Sequence, residues 1–185
     1  MPFIRLAPLR LMTALIAVCC AAGCDRPGGG DTATASVIVP AAPAVLPDAV
    51  QAMVNQLAIV ATQRDWRAMA RLAAAHANFR SNDGGMSARD YWRLKVSAGD
   101  DPTVQLGRLL IGSPAVVGSG PNRVYVWPAL AALKPAAVTP QVERRIDALL
   151  GAGKGAAFKR GVPWPGYSLG IRADGAWLWF ITGEG

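Results

Sequence analysis

Apolar residues recur three and four apart along much of the chain and two apart near its end, a pattern that predicts helices followed by a closing pair of strands. Val50, Met53, Val54, Leu57 and Ala61 follow Asp48 on one face of a first helix. A second is expected from Arg64 or Asp65 through Ala75, with Trp66, Met69, Ala70 and Ala73 inward and Arg64, Arg67 and Arg71 on the outer flank. Asn82-Asp83-Gly84-Gly85 reads as a turn, and Ser87-Ala88-Arg89-Asp90 has the spacing of a capping box that starts a third helix, ending near Ala98. Asp101-Pro102 opens a fourth, because the carboxylate accepts from free N-terminal amides and proline lacks a donor that would go unpaired. Thr139-Pro140 repeats that logic for a helix lined by Val142, Ile146, Leu149 and Leu150 and ended by Gly151.

Strands are expected at 123–127, stopped by Pro128, and at 167–171 and 177–182 around Asp174-Gly175, a preferred two-residue hairpin turn. That register puts Leu169, Ile171, Leu178 and Phe180 on one face, and Arg172, Trp177, Trp179 and Ile181 on the other. Trp177 then stands across from Arg172, while Trp179 covers Gly170, whose missing side chain leaves room for an indole. With Trp164 nearby in sequence, Trp164, Arg172, Trp177 and Trp179 form the candidate ligand or partner surface. Such a face either packs against helices or binds a ring. The fold class these elements predict is α+β, with four to five helices packed on a small antiparallel sheet that includes the C-terminal hairpin.

Ahead of this domain the pattern changes. Arg5 and Arg10 lead into an uncharged apolar run of 13 residues, Leu11 to Gly23, too short for a helix that crosses roughly 30 Å of hydrocarbon. It closes on Ala21-Ala22-Gly23-Cys24, and the whole resembles a bacterial lipoprotein precursor. The resemblance implies removal of residues 1–23 and lipidation of Cys24. It also implies a location in the envelope of a Gram-negative bacterium, facing the periplasm and held to the membrane by its lipid. Asp25 resembles a signal for retention in the inner membrane, which favours that membrane over the outer one. Residues 24–47, rich in Gly, Pro, Ala and Thr, then form the lipidated cysteine and a disordered tether, and residues 48–185 a single domain.

This reading restricts the chemistry. Cys19 and Cys20 leave with the signal and Cys24 is acylated, so no thiol remains for a disulfide, a metal or a nucleophile. His76 is the single histidine, which excludes a His-pair metal centre. With Asp83 and Arg80 nearby in sequence, His76 supports at most a hydrolase reading, for which no nucleophile is identified. None of the serines sits in Gly-x-Ser-x-Gly. Gly151-Ala152-Gly153-Lys154-Gly155 lacks the first glycine and the closing Ser or Thr of a phosphate loop, and reads as a helix terminator followed by a flexible turn. No metal or cofactor is expected. Nor are a nucleotide and nucleic acid, because export separates the chain from both. Loss of Arg5 and Arg10 leaves 17 basic against 12 acidic residues, a charge suited to anionic phospholipid or acidic envelope polymers. Arg64, Arg67, Arg71, Arg89 and Arg93 make a patch if the second and third helices are neighbours.

Gln63-Arg64-Asp65-Trp66 in the opening helix pair and Asp174-Gly175-Ala176-Trp177 in the hairpin are similar to the nuclear-transport-factor-2-like superfamily at the two ends of the domain. That resemblance implies a cone-shaped α+β fold with a pocket. The function expected first is a non-catalytic interaction or envelope-support role, with an envelope protein or envelope polymer as partner. The alternative is a module that binds a glycan, lipid or other small ligand through the tryptophan-rich hairpin.

Overall fold

The structure, a computed structural model, describes residues 45–183; Cys24 and Asp25 lie outside the described residues. Its architecture is α+β. Six α-helices and a four-stranded antiparallel sheet occur in the order α1 (Asp48–Gln63), α2 (Trp66–Ala74), α3 (Ala88–Ser97), α4 (Pro102–Leu110), β1 (Ala115–Val117), β2 (Val124–Trp127), α5 (Pro140–Leu150), α6 (Lys154–Lys159), β3 (Tyr167–Arg172) and β4 (Trp177–Thr182). The strands lie in chain order, β1-β2-β3-β4. No helix among the described residues is long and apolar enough to cross a membrane.

The helix ends form where local chemistry calls for them. Arg64, in the left-handed region at φ 53°, ends α1, and the Asp65 carboxylate accepts from the Ala68 amide at 2.9 Å to start α2. Ser87 Oγ accepts from the Asp90 amide at 3.1 Å and donates to its carboxylate at 2.8 Å. Asp101 accepts from both the amide and the hydroxyl of Thr103, and Thr139 Oγ1 from the Val142 amide. α1 buries Val50, Met53, Leu57 and Val60; Met69, Ala70 and Ala73 of α2, Trp92 of α3 and Leu106 of α4 join them. On α5, Ile146 is fully buried but Leu149 is 55 % exposed, so the inner stripe runs through Val142, Ile146 and Leu150 alone.

Two elements depart from the sequence expectations. The glycine-rich stretch after α5 is not a flexible turn. It leads into α6, because the Gly155 amide donates to Asp147 Oδ1 at 2.7 Å and a Cβ at Gly155 would run into the backbone of Glu143. β1 is a three-residue strand that pairs with β2 from Ala115↔Val126 to Val117↔Val124.

The hairpin also differs. The Arg172 amide donates to the Ala176 carbonyl and the Gly175 amide to the Arg172 carbonyl, both at 2.9 Å, which closes a three-residue loop with Gly175 at φ 86°. Ile171 pairs with Trp177 and Gly170 with Trp179, so Leu178 is an extra residue, a bulge. Because side chains alternate with period two, this shift moves Trp177 to the face of Leu169, Ile171 and Phe180, where it is fully buried, and leaves Leu178 partly exposed. The placement of Trp177 across from Arg172, on the face of Trp179, is thereby corrected.

Three contacts tie the sheet to the helical layer and its loops. Arg80, in the loop after α2, forms a parallel bridge beside β4: its amide donates to the Leu178 carbonyl at 2.9 Å, and its carbonyl accepts from the Phe180 amide at 3.1 Å. Asn82 Oδ1 accepts from the Thr182 amide at 2.8 Å. At the end of α3, the Lys95 ammonium pairs with Asp100, which also accepts from the Tyr167 hydroxyl at 3.1 Å. Burial, helped by the adjacent Asp100 charge, pushes the Tyr167 phenol up to about 12 from 10.0, and the hydrogen bond with Asp100 raises the Lys95 ammonium.

The folded phenol therefore keeps its proton between pH 10.0 and about 12 while an unfolded chain loses it, so stability falls as pH rises through that window. Tyr167→Phe is expected to flatten this part of a denaturation-versus-pH profile. An unchanged slope would exclude the phenol as its source.

Candidate functional site

The sheet has two faces with different duties. Tyr125, Trp127, Leu169, Ile171, Trp177 and Phe180 meet the helices in the main core. The second face carries the cross-strand row Val126, Gly170 and Trp179 and, beside it, Ser168 opposite Ile181. A smaller core of Val138, Ile146 and Phe158 in the segment that links β2 to β3 supports Trp164.

Trp164 and Trp179 line one hollow over this second face. The Trp164 ring packs edge-on against Phe158, centroids 5.6 Å apart, and its Nε1 donates to the Tyr167 carbonyl at 3.1 Å. Trp179 lies over Gly170, where any Cβ would overlap the indole. Between them is a hollow of about 350 Å³, lined also by Arg80, Val126, Pro163 and Ser168. That volume is at the lower end of the roughly 300–1,000 Å³ common for small-ligand sites. Ser168 is only 7 % exposed and its hydroxyl has no protein hydrogen bond among the described residues, so a donor and acceptor stands available in the hollow wall.

The sequence-derived surface is thus divided. Trp164 and Trp179 come together. Trp177 is in the main core, stacked on Trp92 with centroids 6.2 Å apart, its Nε1 donating to the Trp179 carbonyl at 3.0 Å. Arg172 is held in the hairpin turn by a fork to Asp174, at 3.0 Å from Nε and 2.6 Å from Nη2. That guanidinium, with the Ala176 amide, holds the Asp174 carboxyl below its usual range. Arg80 and Ser168 are additions. Ser168 follows from period-two alternation with Gly170, whereas Arg80 reaches the hollow through a pairing to β4 that has no local signature.

His76 sits in the turn after α2, partly buried, and its ring has no hydrogen bond or ion pair among the described residues. The Asp83 carboxylate is engaged elsewhere, accepting from Ser81 Oγ at 2.6 Å and from the Gly85 amide at 3.0 Å. The histidine–carboxylate pair suggested by sequence proximity is not formed. No group of three or more His, Cys, Asp or Glu side chains is placed to hold a metal ion among the described residues. No family model, curated protein or solved structure matches the chain.

The two tryptophans of β4 should separate in denaturant titrations. Trp177→Ala, a truncation in a closed aromatic core, is expected to cost about 3 to 5 kcal/mol. Trp179→Ala should cost about 1 to 2 kcal/mol, the loss expected for a side chain that is only partly buried. Equal losses would mean that the hollow is structural packing.

Proposed function

We propose that the chain is an envelope lipoprotein, anchored through Cys24 and retained at the inner membrane by Asp25, whose domain works by non-catalytic binding. The observation that carries the binding role is the convergence of Trp164 and Trp179 on one hollow with Arg80 and Ser168, whose hydroxyl has no hydrogen bond among the described residues. Indole faces accept the C–H face of a sugar ring, while a guanidinium and a hydroxyl provide for its hydroxyl groups. An envelope glycan is therefore the ligand class this hollow suits. The lipoprotein assignment is supported by Arg5, Arg10, the apolar run and Ala21-Ala22-Gly23-Cys24. More than one acyl chain makes such an anchor effectively permanent, since each buried methylene contributes about 0.8 kcal/mol.

Metabolic labelling with a fatty acid is expected to tag the wild type and not Cys24→Ser; equal labelling of both would sink the anchor. Soluble fragments of envelope glycan should quench tryptophan fluorescence saturably, and Trp179→Ala should abolish the response while Trp177→Phe keeps it. Fragments that bind Trp179→Ala as they bind the wild type would exclude the hollow as the site.

A further inference from the structure

A second hollow, of about 240 Å³, lies where α2 and α3 pack together, lined by Arg67, Arg71 and Arg89 with Ala70 and Ala74. It realises part of the basic patch the sequence suggested. Arg64 lines a different depression between α1 and α4, and Arg93 pairs with Asp90 at 3.4 Å. We infer that Arg67, Arg71 and Arg89 form a binding site for a phosphate-class oxyanion.

The charges in this hollow are poorly compensated. Arg71 has one loose carboxylate neighbour, Asp65 at 3.8 Å, and that carboxylate already caps α2 through the Ala68 amide. Arg67 and Arg89 have no carboxylate within ion-pair distance among the described residues. The Arg67 guanidinium instead lies 4.5 Å over the Trp66 ring, a contact that restrains its direction without neutralising it.

Position in the helices sharpens the point. Arg67 and Arg89 are each the second residue of their helix, where the aligned peptide dipoles are positive and disfavour a cation. α2 has no acidic residue in its first turn, and the one in α3, Asp90, is engaged by Ser87 and Arg93. Each helix has one carboxylate at its start, Asp65 and Asp90, both already engaged, and the arginine beside it lines the shared cleft. An arriving anion meets the positive ends of both helices together with the arginine charges.

The shape selects among anions. Ala70 and Ala74 contribute only methyl groups to the lining, which leaves room for an ion between the guanidinium groups. A phosphate monoester presents three terminal oxygens and so offers each of three forks its own acceptor, whereas a carboxylate has two. Free phosphate monoesters and the monoester headgroup of phosphatidic acid both supply this chemistry.

The test uses the mature chain, residues 24–185, carrying Cys24→Ser, so that neither the apolar signal nor a lipid anchor contributes, titrated with inorganic phosphate at low ionic strength. Each of Arg67→Gln, Arg71→Gln and Arg89→Gln should weaken phosphate binding by about tenfold or more, as expected for loss of a charge-assisted hydrogen bond. Arg144→Gln on α5 should leave binding unchanged. Arg89→Lys is the decisive variant, because it keeps the charge and removes the fork. Binding equal to wild type in Arg89→Lys, or no saturable phosphate binding at all, would overturn the site in favour of diffuse surface charge. Cosedimentation with phosphatidylcholine vesicles containing phosphatidic acid, lost in the triple glutamine variant, identifies a headgroup as the source. Phosphate binding without cosedimentation identifies a free ester. The arginines are exposed, so unliganded melting temperatures should be alike across the variants and separate site loss from misfolding.

Discussion

The aromatic stack around Trp177 joins the two halves of this fold. Trp177 lies against Phe79 from the loop after α2, with centroids 4.5 Å apart, against Trp92 of α3, and near Phe180 of its own strand. These rings come from three separate stretches of chain, so their burial is gained only when the hairpin, the third helix and the intervening loop are all in place. The bulge at Leu178 is the condition for this arrangement. Without the extra residue, period-two alternation turns Trp177 outward and places a smaller leucine between the layers.

The same bulge shapes the site. It leaves Trp179 on the opposite face, aligned with Gly170 and Val126, and the absent side chain at Gly170 lets the indole lie against the sheet. The linking segment between β2 and β3 then brings Trp164 up to it, supported on a core separate from the main one. The hollow therefore has walls from two cores. The arginine cleft, by contrast, is built wholly within the helical layer and depends only on α2 packing beside α3.

The legible parts of the fold are those fixed by near neighbours in sequence. Caps at Asp65, Ser87, Asp101 and Thr139 each rest on contacts within three residues, and the helices begin where the residues indicate. The inner stripes of α1 and α2 follow directly from spacing. What failed depends on distant partners. The strand register required a bulge, beside which Arg80 bridges to β4 from far along the chain. α6 required knowing that Gly155 passes tightly over the Glu143 backbone, without which glycine and alanine around a lysine look like a loop. β1, only Ala115–Val117, is too short for alternation to emerge. At the site, Trp164 and Trp179 were recognisable by residue type and turn placement. Removing Trp177 from it took the register, whereas Arg172 is engaged by Asp174 only two residues on.

The Arg80–Asn82 segment beside β4 has a consequence for assembly. Arg80 takes up backbone groups of Leu178 and Phe180, and Asn82 takes up the amide of Thr182, so the outer edge of the longest hairpin already has neighbours from its own chain. At the other end of the sheet, β1 offers only three residues. A sheet with one edge occupied and the other so short is a poor template for extension by a second strand. Growth of this sheet from copy to copy is therefore disfavoured at both ends, which protects the chain from edge-to-edge aggregation when copies are crowded together.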